Sequence, residues 1–394
     1  MNFGLTCLSK CGERGSFWLK MVNMTHDLIV IGSGILGLAT AFLAHKQGQS
    51  VHVIEAEAAP VHSSIMNFGH ACFTGQADLI QPVADRARRG WLQAAQDTGL
   101  WAAQSGTWIP AVTELEMQVL REFAAHRGEA DVTLVGPGEI RDALANPDLE
   151  AVGGAHLPRD MRVNPREAAP RLVAWLASQG VTFTWNTRVT AVSDGRVDTV
   201  RGEYSARRVI ACPGDQLRGL FPRIAEGNGV RVCTLAMALL TRPGRIPVET
   251  ALLTGTSLAR YDGFAAMPSV PQLRDELASR EPELVAMVAN LMATGIPNGL
   301  LVGDSHAYSL SPEPFIDEAL AEVLIERASY YFGLGEPVVR QRWLGHYADS
   351  AERNLVLVHP DDSTTVAVVT SGIGMTLSFG IAELALSGQV VEGF

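Results

Sequence analysis

The chain has 394 residues, of which 47% are hydrophobic and 19% are charged, and its formal net charge is −11. This composition excludes a disordered protein, and the length predicts two closely joined domains rather than one small core. The acidic charge argues against nucleic acid as a partner, so an anionic substrate would need a local basic pocket.

The cysteine pattern and the apolar stretches bear on the redox environment of the protein, on metal binding and on membrane insertion. The five cysteines are odd in number and scattered, which predicts a reducing, cytoplasmic environment. Cys7 and Cys11 resemble half of a metal site, but no second pair follows, so no metal is expected. The most apolar stretch, residues 284–302, is interrupted by Asn290 and Pro297, so no membrane span is expected.

Residues 1–25 precede the first recognisable structural unit. They lack a continuous apolar stretch and an obvious cleavage site, which argues against a secretory signal. Since Met21 and Met24 come just before the first predicted strand, we expect either a disordered tail or a start assigned too early.

The strongest pattern lies at residues 27–55. An apolar run, 28–31, leads into a glycine turn, an Ala- and Leu-rich helical stretch and a second strand that ends at the acidic Glu55. This order is typical of a dinucleotide-binding βαβ unit. The predicted contacts of the turn are Gly32, Ser33, Gly34, Ile35, Leu36 and Gly37.

Each glycine of the turn has a physical role. Gly32 permits the tight turn, Gly34 lets the backbone approach a pyrophosphate, and Gly37 lets the helix pack closely on the strand. The helix N-terminus offers free N–H groups and the positive end of a dipole. Glu55 is suited to accept hydrogen bonds from both ribose hydroxyls of an adenosine. The unit leaves FAD and NAD open, and a βαβ turn without a ligand is the alternative.

The loop after Glu55 is rich in small and polar residues and is expected to return over the cofactor. Its predicted cofactor contacts are Ala56, Ser63, Ser64 and Asn67. Asn67 and His70 are also candidates for the active site, although His70 fits a structural histidine equally well. The serines, in turn, fit an ordinary polar loop.

The rest of the chain predicts alternating helices and strands. Helices are expected at 85–125, with a further helix from 114 to 126, and at 137–145, 165–176, 282–293 and 314–332, with a last helix after 376. Strands are expected at 181–185, 189–192, 197–200, 208–215, 234–240, 251–253, 258–261, 300–303, 339–347, 355–359 and 366–370.

These elements predict a mixed α/β and α+β fold with two interleaved domains. A Rossmann-like nucleotide-binding domain is expected to comprise residues 27–75, 151–225 and 341–394. A substrate domain built on an antiparallel or mixed sheet is expected to comprise residues 76–150 and 226–340.

Several motifs, taken together, carry a resemblance to a known family. They are the glycine turn with Glu55, Arg162-Val163-Asn164-Pro165-Arg166, Val209-Ile210-Ala211-Cys212-Pro213-Gly214, Arg342-Trp343-Leu344-Gly345, His359-Pro360 and Ser371-Gly372-Ile373-Gly374-Met375. In this order and spacing the chain resembles the FAD-dependent amine oxidases related to D-amino-acid, glycine and sarcosine oxidases. The resemblance covers nearly the whole chain and implies FAD rather than NAD.

The resemblance implies that the enzyme oxidises a C–N bond of a small amine. A hydride passes from the carbon next to the nitrogen to flavin N5, and the imine is hydrolysed to an aldehyde and an amine. Oxygen or another acceptor then takes the electrons. Further cofactor contacts implied by the resemblance are Val189, Cys212, Pro213, Gly214, Gly345, Gly372, Ile373, Gly374, Met375 and Thr376.

The chain departs from the wider family at two places. Sarcosine-oxidase-like enzymes tether flavin through a cysteine near residues 345–348, where this chain has none, so non-covalent FAD is expected. Those relatives also carry a cation near the last glycine motif, whereas residues 373–376 contain none. A clamp for an amino-acid carboxylate is therefore not evident, which weakens glycine, sarcosine or a D-amino acid as the substrate.

A narrower resemblance points to another anion. The segments 67–69, 74–77, 251–255 and 302–306 resemble a subgroup associated with phosphonate catabolism. That resemblance implies an aminophosphonate substrate such as N-methyl-2-aminoethylphosphonate.

The candidate active-site residues follow from these positions. They are His306, Tyr308, Asn67, His70, Arg260, His346 and Tyr347. Arg260 is a candidate for binding the anion, although a solvent-facing arginine fits the sequence equally well. The alternatives are an oxidase of glycine, sarcosine or a D-amino acid, a dehydrogenase that uses a quinone or an electron-transfer protein, and a non-catalytic dinucleotide-binding protein.

Overall fold

A computed structural model describes residues 26–389 of the chain. Its strands are β1 (His26–Ile31), β2 (Val51–Ile54), β3 (His70–Ala71), β4 (Ala102–Ala103), β5 (Thr107–Ala111), β6 (Thr133–Val135), β7 (Gly153–Leu157), β8 (Met161–Val163), β9 (Thr182–Thr184), β10 (Val189–Ser193), β11 (Arg196–Thr199), β12 (Gly202–Ala211), β13 (Arg231–Leu240), β14 (Ala251–Leu253), β15 (Met292–Ile296), β16 (Gly299–Gly303), β17 (Ala307–Ser309), β18 (Val339–Asp349), β19 (Leu355–Val358) and β20 (Thr364–Val369). Its α-helices are α1 (Ile35–Lys46), α2 (Gln81–Thr98), α3 (Glu114–Arg127), α4 (Pro137–Ala143), α5 (Pro165–Ser178), α6 (Leu217–Leu220), α7 (Pro222–Gly227), α8 (Gly255–Arg260), α9 (Asp262–Ala265), α10 (Val270–Arg280), α11 (Pro282–Ala286), α12 (Glu318–Phe332) and α13 (Gly374–Ser387).

The glycine turn lies at the end of a central strand of an eight-stranded sheet, which we call the first sheet. Its order is β10-β11-β12-β1-β2-β9, and β20 pairs with β12 and β19. β1 is parallel to both β2 and β12, so the carboxyl ends of these three strands meet at one edge. A parallel strand covered on both faces is apolar throughout, and Leu28, Ile29 and Val30 are fully buried.

Helices α1 and α13 pack together on the first sheet, and α2 packs on α13. Because α1 is enclosed by its neighbours, its sequence is apolar on nearly every face. Trp91 in α2 joins this layer to the start of α13, since its indole Nε1 donates a hydrogen bond to the carbonyl of Met375 at 2.9 Å.

A nine-stranded sheet, which we call the second sheet, lies across the cavity from the glycine turn. Its order is β17-β13-β16-β15-β14-β5-β7-β6, with β18 also paired to β13. β13 and β18 are antiparallel over their whole length, from Arg231 opposite Asp349 to Leu240 opposite Val339. A small third sheet, β3-β8-β4, lies beside them.

The predicted mixed fold is confirmed, and several element predictions are wrong. A long helix at 85–125 is interrupted by β5, because the β-branched and aromatic residues of Thr107–Ala111 pair with β7. Residues 258–261 belong to α8 and the turn after it rather than to a strand. The helix predicted at 282–293 ends at Ala286, and residues 292–296 form strand β15.

Two strands also lie outside the predicted domain boundaries. The predicted nucleotide-binding domain includes β7 and residues 341–349 of β18, but both strands pair within the second sheet. We therefore propose a substrate domain that also includes residues 153–157 and 341–349.

Some sequence predictions concern parts of the chain beyond residues 26–389. The expectations for the tail at 1–25 and for Cys7 and Cys11 lie outside the described residues. Within residues 26–389, every helix is too short or too polar to traverse a lipid bilayer.

Candidate active site

A cavity of about 500 Å³ lies between the first and second sheets. The ends of β1, β2 and β12 and the starts of α1 and α13 form one wall. Residues of β13, β18, α8 and the segment after β16 form the opposite wall.

The glycine turn is packed so closely that side chains do not fit. A Cβ on Gly32, whose φ is +98°, would lie 2.5 Å from the carbonyl oxygen of Cys212. A Cβ on Gly37 would lie 2.0 Å from the carbonyl oxygen of Gly32. On Gly34 it would lie 3.3 Å from Ser64 Oγ. The structure thus gives a packing reason for glycine at Gly32 and Gly37, and a milder one at Gly34.

Glu55 is held in place by the turn that it faces. Its Oε2 accepts hydrogen bonds from the backbone N–H of Ser33 at 2.6 Å and from the Ser33 hydroxyl at 2.8 Å. Oε1 accepts from the N–H of Glu57 at 2.9 Å. Ser33 itself is fully buried and does not line the cavity, so its contribution to the site passes through Glu55.

The loop after β2 connects the two walls of the cavity. Ser64 Oγ accepts the N–H of Ile35 at 2.8 Å, and the hydroxyl of Ser63 donates to the carbonyl of His346. Asn67 fixes the loop itself, since its side chain donates to Ser63 O at 2.8 Å and accepts from Gly69 N at 2.6 Å. These three side chains line the cavity and also hold its shape.

The N-terminus of α13 faces the same cavity as that of α1. Gly372, Ile373, Gly374, Met375 and Thr376 line the wall there, and no side chain caps the helix. Gly372 has a φ of +76°, and a Cβ on it would lie 3.0 Å from Tyr347 Cζ. The Nε2 atom of His346 is buried, has no hydrogen-bond partner in the described part of the chain, and belongs to a residue that lines the same cavity.

These features fit FAD. Two helix N-termini with free N–H groups, a backbone bare of side chains and a positioned carboxylate suit a pyrophosphate and a ribose. The unpartnered His346 Nε2 offers a hydrogen bond to a polar ligand. The glycine turn and Glu55 suit the adenosine half, while the start of α13 and His346 suit the flavin half.

Arg260 enters the cavity from the opposite wall, at the end of α8. Thr254 begins that helix in a capping box with Ser257, which fixes the position of the helix. The guanidinium donates to Val288 O at 3.2 Å and to the Tyr308 hydroxyl at 3.4 Å. Desolvation opposes its charge, but the hydrogen bond to Tyr308 and the nearby acidic groups raise the pKa of Arg260 overall.

His306 is a neutral member of the same wall. Its Nδ1 donates to the carbonyl of Val288 at 3.0 Å. Burial, with the nearby Arg260 charge, lowers the pKa of His306 to about 3. The ring therefore carries no charge at neutral pH and leaves Nε2 as an acceptor.

His70 belongs to a buried hydrogen-bond network. Its Nε2 lies 2.7 Å from Thr107 Oγ1, and that hydroxyl donates to Asp160 Oδ2 at 2.9 Å. Burial lowers the pKa of His70 to about 3. His70, Cys72 and Asp160 are close enough to suggest a metal site, but Asp160 already accepts from Thr74 N and Thr107. These contacts favour a structural role for His70 in the buried network over a catalytic one, although its ring lines the cavity.

Most predicted site residues meet in this cavity. Those that line it are Gly32, Gly34, Ile35, Leu36, Gly37, Glu55, Ala56, Ser63, Ser64, Asn67, His70, Val189, Cys212, Pro213, Gly214, Arg260, His306, His346, Tyr347, Gly372, Ile373, Gly374, Met375 and Thr376.

Three predicted residues lie behind the cavity wall. One is Ser33, described above. The second is Tyr308, whose hydroxyl accepts a hydrogen bond from Arg260 and whose ring centre lies 4.2 Å from the Arg231 guanidinium. The third is Gly345, which leaves room for the loop after β2, because a Cβ on it would lie 3.0 Å from the carbonyl oxygen of Met66. Sequence reasoning missed Asp304, which lines the cavity. The sequence signal that could have identified it is an acidic residue directly after the apolar segment that forms β16.

Comparison with known proteins identifies the class of this site. The family model for FAD-dependent oxidoreductases (DAO) matches residues 27–387. The chain therefore belongs to the DAO family of FAD-dependent oxidoreductases, and the predictions of an FAD-dependent enzyme and of FAD as its cofactor are confirmed.

Individual relatives are more distant. N-methyl-L-tryptophan oxidase of Yersinia pestis is 26% identical over 331 residues, which cover 76% of this chain and 87% of the relative. Glycine oxidase from Geobacillus kaustophilus shares the fold with a TM-score of 0.74 at 18% identity, covering 92% of this chain and 94% of that one. L-α-glycerophosphate oxidase from Mycoplasma pneumoniae, solved with FAD bound, has a TM-score of 0.70 at 16% identity, covering 92% and 94%. The resemblance to a phosphonate-catabolism subgroup and the non-covalent mode of FAD binding stay predictions.

Proposed function

We propose that this chain oxidises a C–N bond of a small amine that carries an anionic group. The carbon next to the nitrogen loses a hydride, and water hydrolyses the resulting imine to an aldehyde and an amine. When bound, FAD supplies the acceptor for the hydride. The protein must hold a neutral amine with its C–H bond directed at that acceptor.

The observation that carries this proposal is the place of Arg260 in the cavity wall opposite the glycine turn. Its two hydrogen bonds, at 3.2 and 3.4 Å, are long, and a guanidinium has five N–H donors in all. The remaining donors suit a two-point contact with a phosphonate or a carboxylate. Because the neighbouring groups raise the pKa of Arg260, it keeps its charge in this partly buried position.

Among anionic amines, we propose an aminophosphonate such as N-methyl-2-aminoethylphosphonate. The support is the sequence resemblance at 67–69 and 302–306 and the lack of a cation at 373–376. Secondary amines are further favoured because the Yersinia relative is named for an N-methylated substrate. The competing substrates are glycine, sarcosine and D-amino acids, whose carboxylate Arg260 would hold in the same way.

Anaerobic mixing of the purified flavoprotein with a panel of amines tests this function. The expected result is rapid bleaching of flavin absorbance by N-methyl-2-aminoethylphosphonate and slow or no bleaching by glycine, sarcosine and D-alanine. Fast reduction by sarcosine alone would contradict the phosphonate assignment while leaving amine oxidation intact. A purified protein with no flavin absorbance and no FAD uptake would contradict the proposal that it is an FAD-dependent amine-oxidising enzyme.

Two arginine variants test the anion contact. Arg260→Met should raise the apparent Kd of the substrate by roughly 10- to 100-fold, as for the loss of a charge-assisted contact. Arg188→Met is the matched control, because Arg188 also lines the cavity but pairs with Glu57 at 3.8 Å. Equal Kd values for both variants would show that Arg260 does not bind the anion.

The electron acceptor is tested on the reduced protein. We expect oxygen or another acceptor to reoxidise it. Peroxide formed in proportion to substrate would indicate an oxidase, whereas slow reaction with oxygen and rapid reduction of a quinone or dye would indicate a dehydrogenase.

A further inference from the structure

Asp304 is a buried acid in the cavity wall that carries Arg260. It directly follows β16, and its backbone is fixed by hydrogen bonds with Asn290, from Asn290 N at 3.0 Å and to Asn290 O at 3.3 Å. The residue is only 5% exposed, yet it lines the cavity. Its Oδ1 atom has no hydrogen-bond partner among residues 26–389 and lies 3.9 Å from His306 Nδ1.

A buried carboxyl with an unsatisfied oxygen is costly unless something compensates it. His306 does not, because its Nδ1–H is directed at the carbonyl of Val288. Arg260 contributes a favourable charge, and the backbone N–H groups of Asp304 and Asn290 contribute less. The Arg260 guanidinium itself donates to Val288 and Tyr308. The carboxyl is therefore left for a ligand of the cavity, and a donor with positive charge suits it best.

The proposed reaction supplies such a donor. A small alkylamine is an ammonium ion at neutral pH, with a pKa of about 10. An ammonium nitrogen has no free electron pair, so it cannot stabilise the positive charge that forms when the neighbouring carbon loses a hydride. One N–H proton must leave before that step.

Resting on the function proposed above, we infer that Asp304 binds the substrate ammonium and accepts its proton. The N–H bond breaks, the proton forms an O–H bond with the carboxylate, and the electron pair stays on the nitrogen. The proton passes to water after the product leaves. Asp304 would thus be a catalytic residue, with Arg260 holding the anionic end of the same substrate.

The other titratable groups near Asp304 are poorly suited to this task. Desolvation lowers the pKa of His306 to about 3, so its ring holds a proton far too weakly. Burial raises the pKa of Cys233 to about 12, and those of Tyr261 and Tyr347 rise well above their ordinary value, so all three stay protonated. Burial raises the pKa of Asp304 to about 8, against the opposing charge of Arg260. Before substrate binds, the carboxyl is therefore mostly protonated at pH 7, but the positive charge of a bound ammonium favours its ionised form, and that form accepts the proton.

The test is the rate of anaerobic flavin reduction by N-methyl-2-aminoethylphosphonate in wild type, Asp304→Asn and Asp304→Glu, measured from pH 6 to pH 10. At pH 7 we expect Asp304→Asn to be slower by roughly 10²- to 10⁴-fold. The deficit should shrink about tenfold per pH unit as the free amine replaces the ammonium in solution. Asp304→Glu should recover part of the rate, because it keeps a carboxyl.

Asp262→Asn is the matched control, since it removes an exposed carboxylate from the same cavity and should keep the wild-type profile. Flavin content and absorbance of each variant show whether the cofactor site is intact. If Asp304→Asn does not hold flavin, two other results test the role of Asp304. They are the partial rescue of the reduction rate by Asp304→Glu and an inflection near pH 8 in the rate of the wild type, and the absence of both would overturn the role.

The possible failures are distinguishable. If wild type is reduced and Asp304→Asn matches it in rate and pH profile, the role of Asp304 is wrong and the proposed function stands. A constant deficit at every pH would likewise overturn proton acceptance. If no amine of the panel reduces the wild type, the proposed function and this inference fall together.

Discussion

The Ser33 backbone N–H and hydroxyl both donate to one oxygen of Glu55, at 2.6 and 2.8 Å. This contact joins the middle of the glycine turn at the end of β1 to the acidic residue that directly follows β2. The carboxylate thereby keeps one orientation at the cavity, with its second oxygen bonded to Glu57 N. The glycine turn and Glu55, which are 22 residues apart in the sequence, are thus held in one geometry.

Replacing Glu55 should weaken FAD binding. In Glu55→Gln one accepting oxygen becomes an NH₂ group, so either Ser33 or Glu57 loses its partner. We expect FAD affinity to fall by roughly 10- to 100-fold, measured by fluorescence titration of the flavin-free protein. Glu57→Gln is the control, because it also lines the cavity but leaves these bonds to Glu55 in place. Equal affinities would show that the Glu55 geometry does not serve the cofactor.

A methyl group in the glycine turn should be far more damaging than one elsewhere in the cavity. Gly32→Ala places a Cβ 2.5 Å from Cys212 O at a φ of +98°. We therefore expect loss of bound flavin and a lower melting temperature. Gly219→Ala is the matched control, since Gly219 lines the cavity but has open space around its Cβ position. Flavin content after purification and a thermal melt provide the comparison.

Arg162 should matter for stability rather than for the reaction. Its side chain is fully buried and donates to Ser105 Oγ at 2.8 Å and to the carbonyls of Gly106 and Glu249. Arg162→Met would remove three charge-assisted hydrogen bonds inside the protein, although the Ser105 hydroxyl would still donate to the Glu249 carbonyl at 2.9 Å. The free energy of unfolding should therefore fall by about 3 kcal/mol. Urea denaturation measures the loss, and the exposed Arg171→Met should change little. A loss below about 0.5 kcal/mol would contradict this role.

His70 should make the protein less stable in mild acid. Its folded pKa, lowered by burial to about 3, lies below the ordinary value of 6.5. The unfolded chain thus takes up the proton first, and stability falls as the pH drops below about 6.5, by up to about 1.4 kcal/mol per unit. His70→Gln, which can still bond to Thr107, should reduce the slope of unfolding free energy between pH 6.5 and pH 4.5. Identical slopes in both proteins would contradict a neutral buried His70.

The elements nearest the glycine turn were predictable from sequence because their signals are local. A turn that must exclude side chains needs glycine, and a strand buried on both faces needs an apolar run. The same holds for the helix start at Asn164, whose side chain accepts from Arg166 N at 3.2 Å as a capping residue does. Such patterns act over a few residues and can be read without knowing the fold.

Predictions failed where long-range pairing decided the structure. Residues 107–111 lie between two helices, and they become a strand because β7 and β14 are available as neighbours. β18 belongs to the second sheet because it pairs with β13, more than a hundred residues earlier in the chain. No local propensity contains that information.

The sequence by itself therefore determined a dinucleotide-binding unit, a mixed fold and, through its family motifs, FAD. Only the tertiary structure decided which polar residues face the cavity. It turned Arg260 inward at the end of a helix, placed Tyr308 behind it and brought Asp304 to the wall beside His306. The reason is physical: burial and charge proximity depend on contacts between distant segments, and these contacts shift the pKa values on which the chemistry depends.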